Sequence, residues 1–172
     1  GWATNGIGFS EYPRDGNGPH HFVIRGCTIH DIGVIYGNSD SHAISGNGAN
    51  DGLIEHNEIY NVGSGITWYE FSDNTSMKNV IIRWNYIHDT HANFDANSRG
   101  IEFNMTGYNT SDKSGNMCYG NIVENVGDVA YRLTWAEYEV EFYNNVAHNC
   151  GISFYFYHGI QDIGPNVKLR NN

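Results

Sequence analysis

The chain has 172 residues, enough for one domain, and its 9 Lys and Arg against 19 Asp and Glu give a formal net charge of −10. This charge excludes an ordinary nucleic-acid binder, because affinity for nucleic acids comes mainly from Lys and Arg that neutralise phosphates. No apolar run approaches the roughly 20 residues of a membrane-spanning helix. The 21 Gly and 23 Asn are unusually many. Both residues favour tight turns with a left-handed backbone, which indicates a repeat.

A short motif, apolar-x-x-Asn-x-apolar, divides the chain into similar units. In chain order, the central positions of its copies are Cys27, Asn57, Asn85, Asn121, Asn145 and Asn172. The first copy has Cys where the others have Asn. The steps between copies vary from 24 to 36 residues, so the motif predicts coils of one core length that are interrupted by loops of different size.

A short strand precedes each copy of the motif, and a small residue opens it. These strands lie, in chain order, at residues 6–9, 43–46, 65–68, 100–103, 130–133 and 151–154. Their apolar side chains alternate with a period of two, as in a half-buried strand, and no segment shows a sustained helical periodicity. Each coil is therefore predicted to contain one strand before its loop and two strands that flank the Asn.

Stacking of the units accounts for the motif. One coil cannot bury its apolar positions alone, but coils stacked about 4.8 Å apart line a continuous core. Asn at one corner of successive coils would adopt a left-handed turn and hydrogen-bond the Asn above and below it. We predict an all-β parallel β-helix solenoid of about six coils with an Asn ladder, as a single domain over residues 1–172. A β-sandwich is the alternative, but it gives no reason for Asn at one register of every unit.

These motifs resemble the right-handed parallel β-helix superfamily, the pectate-lyase-like fold, and its short parallel β-helix repeat modules. The resemblance extends from Gly6 to Asn172 and is the source of the predicted handedness. This superfamily includes lyases, glycoside hydrolases, epimerases, phage tailspikes and passive adhesins, so the fold alone does not select a function. The resemblance implies an extracellular or cell-surface protein that binds or degrades a polysaccharide.

The predicted stacking places equivalent residues of the first strands in columns on the outer face of one sheet. One outward column contains Gly8, Ser45, Thr67, Glu102, Arg132 and Ser153, and the next contains Ser10, Asn47, Tyr69, Asn104, Thr134 and Tyr155. Long inserts border this face on both sides. Loops of that length are usually functional or disordered, so the sequence predicts a groove.

An extended glycan bound in this groove is what the resemblance implies. We predict that it contacts Tyr69, Asn104, Tyr108, Tyr155 and Arg99, with tyrosine rings stacked on sugar rings. The alternative for the tyrosines is that β propensity alone places them at outward positions of a strand.

Glu102 and Arg132 are neighbours in the first column and are candidates for catalysis. In one scheme Arg132 neutralises a uronate carboxylate or acts as the base, as the resemblance to lyases of this fold implies. In the other, Glu102 is one of two glycosidase carboxylates, and its partner is Asp95, Asp128 or Glu70. The alternative without a function is a surface salt bridge between adjacent strands, which contributes little stability.

The segment from His88 to Asp95 contains the densest cluster of titratable side chains. His91 and Asp95 fall outside the repeat, so we predict that they join the catalytic site as a general base and its orienting carboxylate, or bind a divalent cation. His88 and Asp89 lie in columns that the repeat itself builds, and turn hydrogen bonding is their simplest role. The spacing matches no standard metal motif, so no metal ligand is assigned.

Calcium is the cofactor that the resemblance implies. An acidic protein that handles an acidic glycan needs a cation between the two, and lyases of this fold often use Ca²⁺ in that role. The sequence contains no Asp-x-Asp-x-Asp-Gly loop of the kind that binds Ca²⁺ with high affinity.

A non-catalytic structural or adhesive module is the alternative function. The sequence opens on a strand and stops on a ladder Asn, without a capping helix, whereas solenoids protect their end coils with polar caps. Uncapped ends would stack on another copy, or residues 1–172 would be part of a longer solenoid or assembly. This interpretation predicts self-association through the ends of the β-helix.

Overall fold

Parallel strands account for most of the structure, a computed structural model that describes residues 5–10, 18–33, 41–70, 77–90, 98–105, 114–134, 140–157 and 167–172. Within these ranges the chain forms strands and no helix, and adjacent strands pair in parallel. Three of the residues predicted to form the site, His91, Asp95 and Tyr108, lie outside the described ranges.

The strands follow one another as successive coils. Coil 1 contains β1 (Asn5–Ser10), β2 (His20–Arg25) and β3 (Thr28–Ile32), and coil 2 contains β4 (His42–Asn47), β5 (Asn50–Glu55) and β6 (Glu58–Val62). Coil 3 contains β7 (Ser64–Glu70), β8 (Val80–Arg83) and β9 (Tyr86–Thr90), and coil 4 contains β10 (Arg99–Met105), β11 (Asn116–Tyr119) and β12 (Ile122–Val126). Coil 5 contains β13 (Val129–Thr134), β14 (Val140–Tyr143) and β15 (Val146–His148), and coil 6 contains β16 (Ile152–Tyr157) and β17 (Val167–Arg170).

Three sheets run the length of the stack. The first sheet has the order β1-β4-β7-β10-β13-β16, the second β2-β5-β8-β11-β14-β17, and the third β3-β6-β9-β12-β15. Each coil contributes one strand to each sheet, apart from coil 6, which contributes to the first two. This arrangement confirms the predicted parallel β-helix of about six coils. The β-sandwich alternative is wrong, because a sandwich packs antiparallel sheets.

Apolar columns from the three sheets meet in a single core. On the first sheet Ile44, Ile66 and Ile101 stack in register and are completely buried. Trp68 and Phe103 form the adjacent inward column and are equally buried. The alternate side chains of each strand point away from the core. Any functional side chains on the strands must therefore be sought in these outward columns.

The Asn ladder forms as the motif predicts. The side-chain Nδ2 of Asn57 donates to Asn85 Oδ1 at 2.9 Å, and Asn85 donates to Asn121 in the same way at 3.0 Å. The ladder continues through Asn145 to Asn172 at 3.1 Å and 3.0 Å. Each Oδ1 also accepts a backbone N–H from the preceding coil, such as that of Asn57 on Asn85 at 3.1 Å. The amides therefore satisfy buried backbone groups as well as one another.

The ladder Asn was predicted to adopt the left-handed conformation, and this prediction is wrong. The residue before each ladder Asn adopts it instead. His56 and Trp84 have φ angles of 54° and 53°. The same position in the other coils is occupied by Gly26, Gly120, Asn144 and Asn171, all with positive φ. The left-handed residue bends the chain from the second sheet into the third, and the ladder Asn that follows it points inward.

Small residues at the start of the first-sheet strands are required by close packing. A Cβ added at Gly65 would lie 2.4 Å from the carbonyl oxygen of Gly100 and 2.9 Å from Ile87 Cγ2. A Cβ added at Gly100 would lie 2.5 Å from both the Ala130 carbonyl oxygen and Val123 Cγ1. The corner between the third and first sheets is therefore too narrow for a larger side chain.

The sixth coil departs from the predicted columns by two residues. Tyr131 pairs with Phe154 and Arg132 pairs with Tyr155, whereas the sequence analysis aligned them with Ile152 and Ser153. Tyr155 consequently belongs to the column of Glu102 and Arg132. The predicted column that joins Tyr69, Asn104 and Tyr155 is wrong in its last member.

Candidate functional site

The outer face of the first sheet is polar and largely buried. Ser45, Thr67 and Glu102 follow one another in register, and their exposed fractions are 1%, 3% and 0%. In the neighbouring column Asn47 and Thr134 are 6% and 2% exposed. A face that was predicted to line an open groove therefore presents side chains that are shielded from bulk water. Electrostatic interactions are stronger in such surroundings than at an open surface.

A buried carboxylate lies between two arginines on this face. Arg99 Nη1 lies 2.5 Å from Glu102 Oε2, and Arg132 Nε lies 3.6 Å from Glu102 Oε1. The side chains of Arg99 and Arg132 are only 15% and 20% exposed. The ion pair considered for Glu102 and Arg132 is present, but it is buried rather than at the surface. Two cations thus face the Glu102 carboxylate from neighbouring positions of the sheet.

Asp128 is the carboxylate that the fold brings closest in register to this cluster. It immediately precedes β13, whose first residue, Val129, pairs with Arg99. Burial raises the pKa of Asp128, while the charges of Arg99 and Arg132 act in the opposite direction and only partly offset it. Among the three partners considered for Glu102, Asp95 lies outside the described residues, and so does the side chain of Glu70. Of the three, Asp128 is therefore the one whose side chain the structure describes.

Several buried polar atoms of this face have no hydrogen-bond partner among the described residues. They are Asn47 Oδ1, Glu102 Oε1, Asn104 Oδ1, Arg132 Nε and Thr134 Oγ1. An unpaired buried donor or acceptor costs about 1–3 kcal/mol, and native proteins retain few of them. These five atoms come from β4, β10 and β13 and project from one face. They make the outer face of the first sheet the candidate functional face within the described part of the chain.

The two predicted stacking tyrosines of the described region lie at different levels of this face. Tyr69 pairs with Asn47 on one side and Asn104 on the other, and its ring centre is 6.4 Å from that of His42. Tyr155 pairs with Arg132, whose guanidinium carbon lies 5.7 Å from the tyrosine ring centre. Both rings are half-buried rather than exposed. They are therefore available at the edge of the site and not as an open platform.

The outer face of the third sheet carries the ladder of titratable residues that the repeat predicts. Tyr60 is stacked between His30 and His88, with ring centres 5.0 Å and 5.2 Å apart. His88 Nδ1 lies 2.8 Å from Asp89 Oδ2, and Asn125 Nδ2 donates to Asp89 Oδ1 at 2.9 Å. The turn hydrogen bonding expected for His88 and Asp89 is confirmed. In the part of the chain that the structure describes, His, Cys, Asp and Glu side chains do not gather in threes that could hold a metal ion.

Sequence reasoning missed a charged column on the second sheet. Glu55 accepts hydrogen bonds from Arg25 Nε at 2.5 Å and from Arg83 Nε at 2.6 Å, and Arg83 Nη1 donates to the Tyr119 hydroxyl at 2.7 Å. Burial raises the pKa of Glu55, but the hydrogen bonds from Arg83 and Arg25 outweigh it and leave the pKa below its ordinary value. The column occupies the position two residues before each ladder Asn and contains Arg25, Glu55, Arg83, Tyr119, Tyr143 and Arg170. That fixed offset from the motif is the signal that could have revealed it.

Comparison with protein-family models, with curated proteins and with solved structures finds no match to this chain. The described residues include no helix with the length and apolar character needed to cross a membrane. The site must therefore be interpreted from its own residues.

Proposed function

We propose that this protein is an extracellular β-helix protein that binds a polysaccharide along the outer face of the first sheet and cleaves it as a lyase or glycoside hydrolase. The observation that carries the proposal is the set of buried polar atoms without a hydrogen bond among the described residues, on Asn47, Glu102, Asn104, Arg132 and Thr134, of which Glu102 Oε1 and Arg132 Nε also form an ion pair at 3.6 Å. They extend over four adjacent strands of the sheet, β4 to β13, which suits a long ligand with many hydroxyl groups. The resemblance of the repeat to the pectate-lyase-like superfamily supports the same ligand class.

Two chemistries fit the residues of this face. In a hydrolase, Asp128 with its raised pKa would donate a proton to the leaving oxygen. The Glu102 carboxylate would either attack the sugar as the nucleophile or activate a water molecule as the base. In a lyase, Arg132 would neutralise a uronate carboxylate next to the abstracted proton or would act as the base. Arg99 donates a hydrogen bond to Glu102 and would position the Glu102 carboxylate in the hydrolase scheme.

Three predicted residues complete this proposal from outside the described ranges. His91 and Asp95 remain candidates for a general base and its orienting carboxylate, and Tyr108 remains a candidate for stacking on a sugar ring. A Ca²⁺ ion between the protein and an acidic glycan also remains a proposal.

Incubation with a panel of neutral and acidic glycans, with and without Ca²⁺, tests the function. Lyase activity produces the ultraviolet absorbance of unsaturated uronates, and hydrolase activity produces new reducing ends without that absorbance. Arg132→Ala should abolish lyase activity, and Asp128→Asn should abolish only hydrolysis. Failure to cleave or bind any glycan of the panel would remove the proposal.

A non-catalytic assembly module is the second candidate, and an exposed apolar stripe on the third sheet favours it. Tyr86, Ile122 and Val146 are in register on adjacent strands, and their exposed fractions are 37%, 45% and 51%. Continuous apolar surface of this kind often marks a contact between proteins. Light scattering that rises with protein concentration, together with an inert glycan panel, would favour assembly, and end-to-end stacking of coils would appear as filaments in electron micrographs.

A further inference from the structure

A pocket of about 210 Å³ lies on the outer face of the second sheet, away from the first-sheet site. Its walls are Met117, Glu141, Tyr143, Asn144, Arg170 and Asn171. The volume is below the roughly 300–1,000 Å³ of pockets that enclose drug-sized ligands, so it suits a single small ring. The residues come from coils 4, 5 and 6, and the regular pairing of β11, β14 and β17 holds them in place.

Tyr143, the aromatic residue that lines this pocket, belongs to an ordered row of aromatic rings. Tyr119 and Tyr143 pair across β11 and β14, and their rings are stacked with centres 4.5 Å apart and planes 8° from parallel. The rings of Trp84 and Tyr119 pack edge to face with centres 5.9 Å apart. The guanidinium carbon of Arg83 lies 4.2 Å from the centre of the Trp84 ring. Tyr143 is thus fixed by its neighbours before any ligand arrives, which reduces the entropy lost on binding.

The charge at the pocket is positive although the whole chain is acidic: Arg170 and Glu141 line it, and Lys168 lies beside Glu141. Lys168 Nζ and Arg170 Nη2 each lie 2.7 Å from a different oxygen of Glu141. The hydrogen bond from Lys168 holds the pKa of Glu141 below its ordinary value, so this carboxylate is ionised at neutral pH. The two cations exceed the one anion, and the side chains of Lys168 and Arg170 are 51% and 58% exposed. Their remaining N–H groups are accessible to an anion.

Three features of the pocket match the parts of one ligand class. The ring of Tyr143 suits the apolar face of a pyranose ring, and the amides of Asn144 and Asn171 suit ring hydroxyls. Arg170 and Lys168 suit a single carboxylate. From this combination we infer that the pocket is a binding site for a carboxylated sugar residue, a hexuronate. The site is separate from the first-sheet face and stands whether or not that face binds or cleaves a glycan.

Titration of the ¹⁵N-labelled protein with D-glucuronate, followed by NMR, tests this site. Amide signals of residues 141–144 and 170–171 should shift with glucuronate. D-Glucose, which lacks the carboxylate, and acetate, which lacks the ring, should each cause less than a tenth of that shift at the same concentration. Equal shifts with acetate, or shifts confined to the first sheet around Thr134, would overturn the inference.

Matched variants locate the anion contact. Arg170→Gln should weaken glucuronate binding at least tenfold, and Tyr143→Leu should weaken it by a similar factor while circular dichroism retains the β signal. Arg25→Gln is the control, because Arg25 lies on the same face, is also 58% exposed and pairs with Glu55 in the same way that Arg170 pairs with Glu141. Unchanged binding in Arg170→Gln, or an equal loss in Arg25→Gln, would contradict the assignment.

Discussion

Arg132 lies beside Tyr155 across the pairing of β13 with β16, with its guanidinium carbon 5.7 Å from the centre of the tyrosine ring. The other side of the same arginine faces Glu102, 3.6 Å away. A cation–π contact of this kind contributes about 0.5–2 kcal/mol. The arginine is thus held between an anion and an aromatic face, a position from which it can bind a carboxylate without first reorganising.

Replacement of Thr134 by Val separates a role in binding from a role in stability. The Thr134 hydroxyl is buried and has no partner among the described residues, so its removal should leave the free energy of unfolding unchanged or raise it by about 1–3 kcal/mol. Glycan affinity should fall, because the ligand loses a preformed contact. Chemical denaturation and glycan binding measured on the same preparation check both parts.

Thr90→Val is the matched control for that substitution. Thr90 is also buried, but its hydroxyl lies 2.6 Å from Ser98 Oγ. The variant should lose about 1–3 kcal/mol of stability, because the Ser98 hydroxyl is left unpaired, and its glycan affinity should not change. A destabilised Thr134→Val with normal binding would show that Thr134 is merely structural.

Asn85→Ala should destabilise the protein through its neighbours in the ladder. Asn85 Oδ1 accepts the backbone N–H and the side-chain amide of Asn57, and its Nδ2 donates to Asn121. Each buried group left without a partner costs about 1–3 kcal/mol, which urea denaturation would measure. Asn125→Gly removes only the exposed hydrogen bonds of the Asn125 side-chain amide, at a residue whose φ of 54° glycine also adopts. This variant should change the free energy of unfolding by less than about 1 kcal/mol. Equal losses in both variants would mean that burial of the ladder is unimportant.

Gly100→Ala should lower stability by about 1–3 kcal/mol, because the added methyl group would overlap the Ala130 carbonyl oxygen and Val123 Cγ1 at 2.5 Å. Thermal unfolding followed by circular dichroism measures the change. Gly26→Asn is the control, since a Cβ there meets nothing within 4 Å and Asn tolerates its φ of 65°. A neutral Gly100→Ala would show that the corner between the sheets can widen.

Asp128→Asn should stabilise the protein at pH 7 but not at pH 3. Burial raises the folded-state pKa of Asp128 above its unfolded value, so the folded state binds more protons and stability falls as pH rises through that window. The substitution removes this loss at pH 7. At pH 3 both states of the natural protein are largely protonated, so little changes. Denaturation midpoints at the two pH values give the comparison.

Glu141→Gln should change stability at pH 7 in the opposite direction to Asp128→Asn. The hydrogen bond from Lys168 lowers the folded-state pKa of Glu141, so its contribution to stability is present above the unfolded pKa and is lost as pH falls through the folded pKa. This variant should therefore lose more stability at pH 7 than at pH 3. The same pH response in Glu141→Gln and Asp128→Asn would contradict the assigned directions.

Much of the fold can be predicted from two sets of residues that recur along the sequence. The Asn at 57, 85, 121 and 145 sets the axial alignment of the coils, and the small residues at 65 and 100 set the corner of the first sheet. Alternation alone could not place the last coil, because a period of two fits equally well after a shift of two residues.

The candidate site could be predicted only in part, for a physical reason. The adjacency of Glu102 and Arg132 depends on coil alignment, which the motif provides. The complete burial of Glu102, the raised pKa of Asp128 and the contact of Arg132 with Tyr155 depend on packing in three dimensions. Identity and spacing do not determine how much water reaches a side chain.

The replacement of the first ladder amide by Cys27 has a consequence for how the molecule opens. Cys27 donates only its backbone N–H to Asn57 Oδ1 at 2.9 Å, whereas each later coil adds an amide-to-amide bond to the next. At this corner, coil 1 is thus joined to coil 2 by one side-chain hydrogen bond fewer than each later coil is to the next. Fraying from this end should progress inward coil by coil, and hydrogen exchange would show it as protection that increases from β2 towards β8.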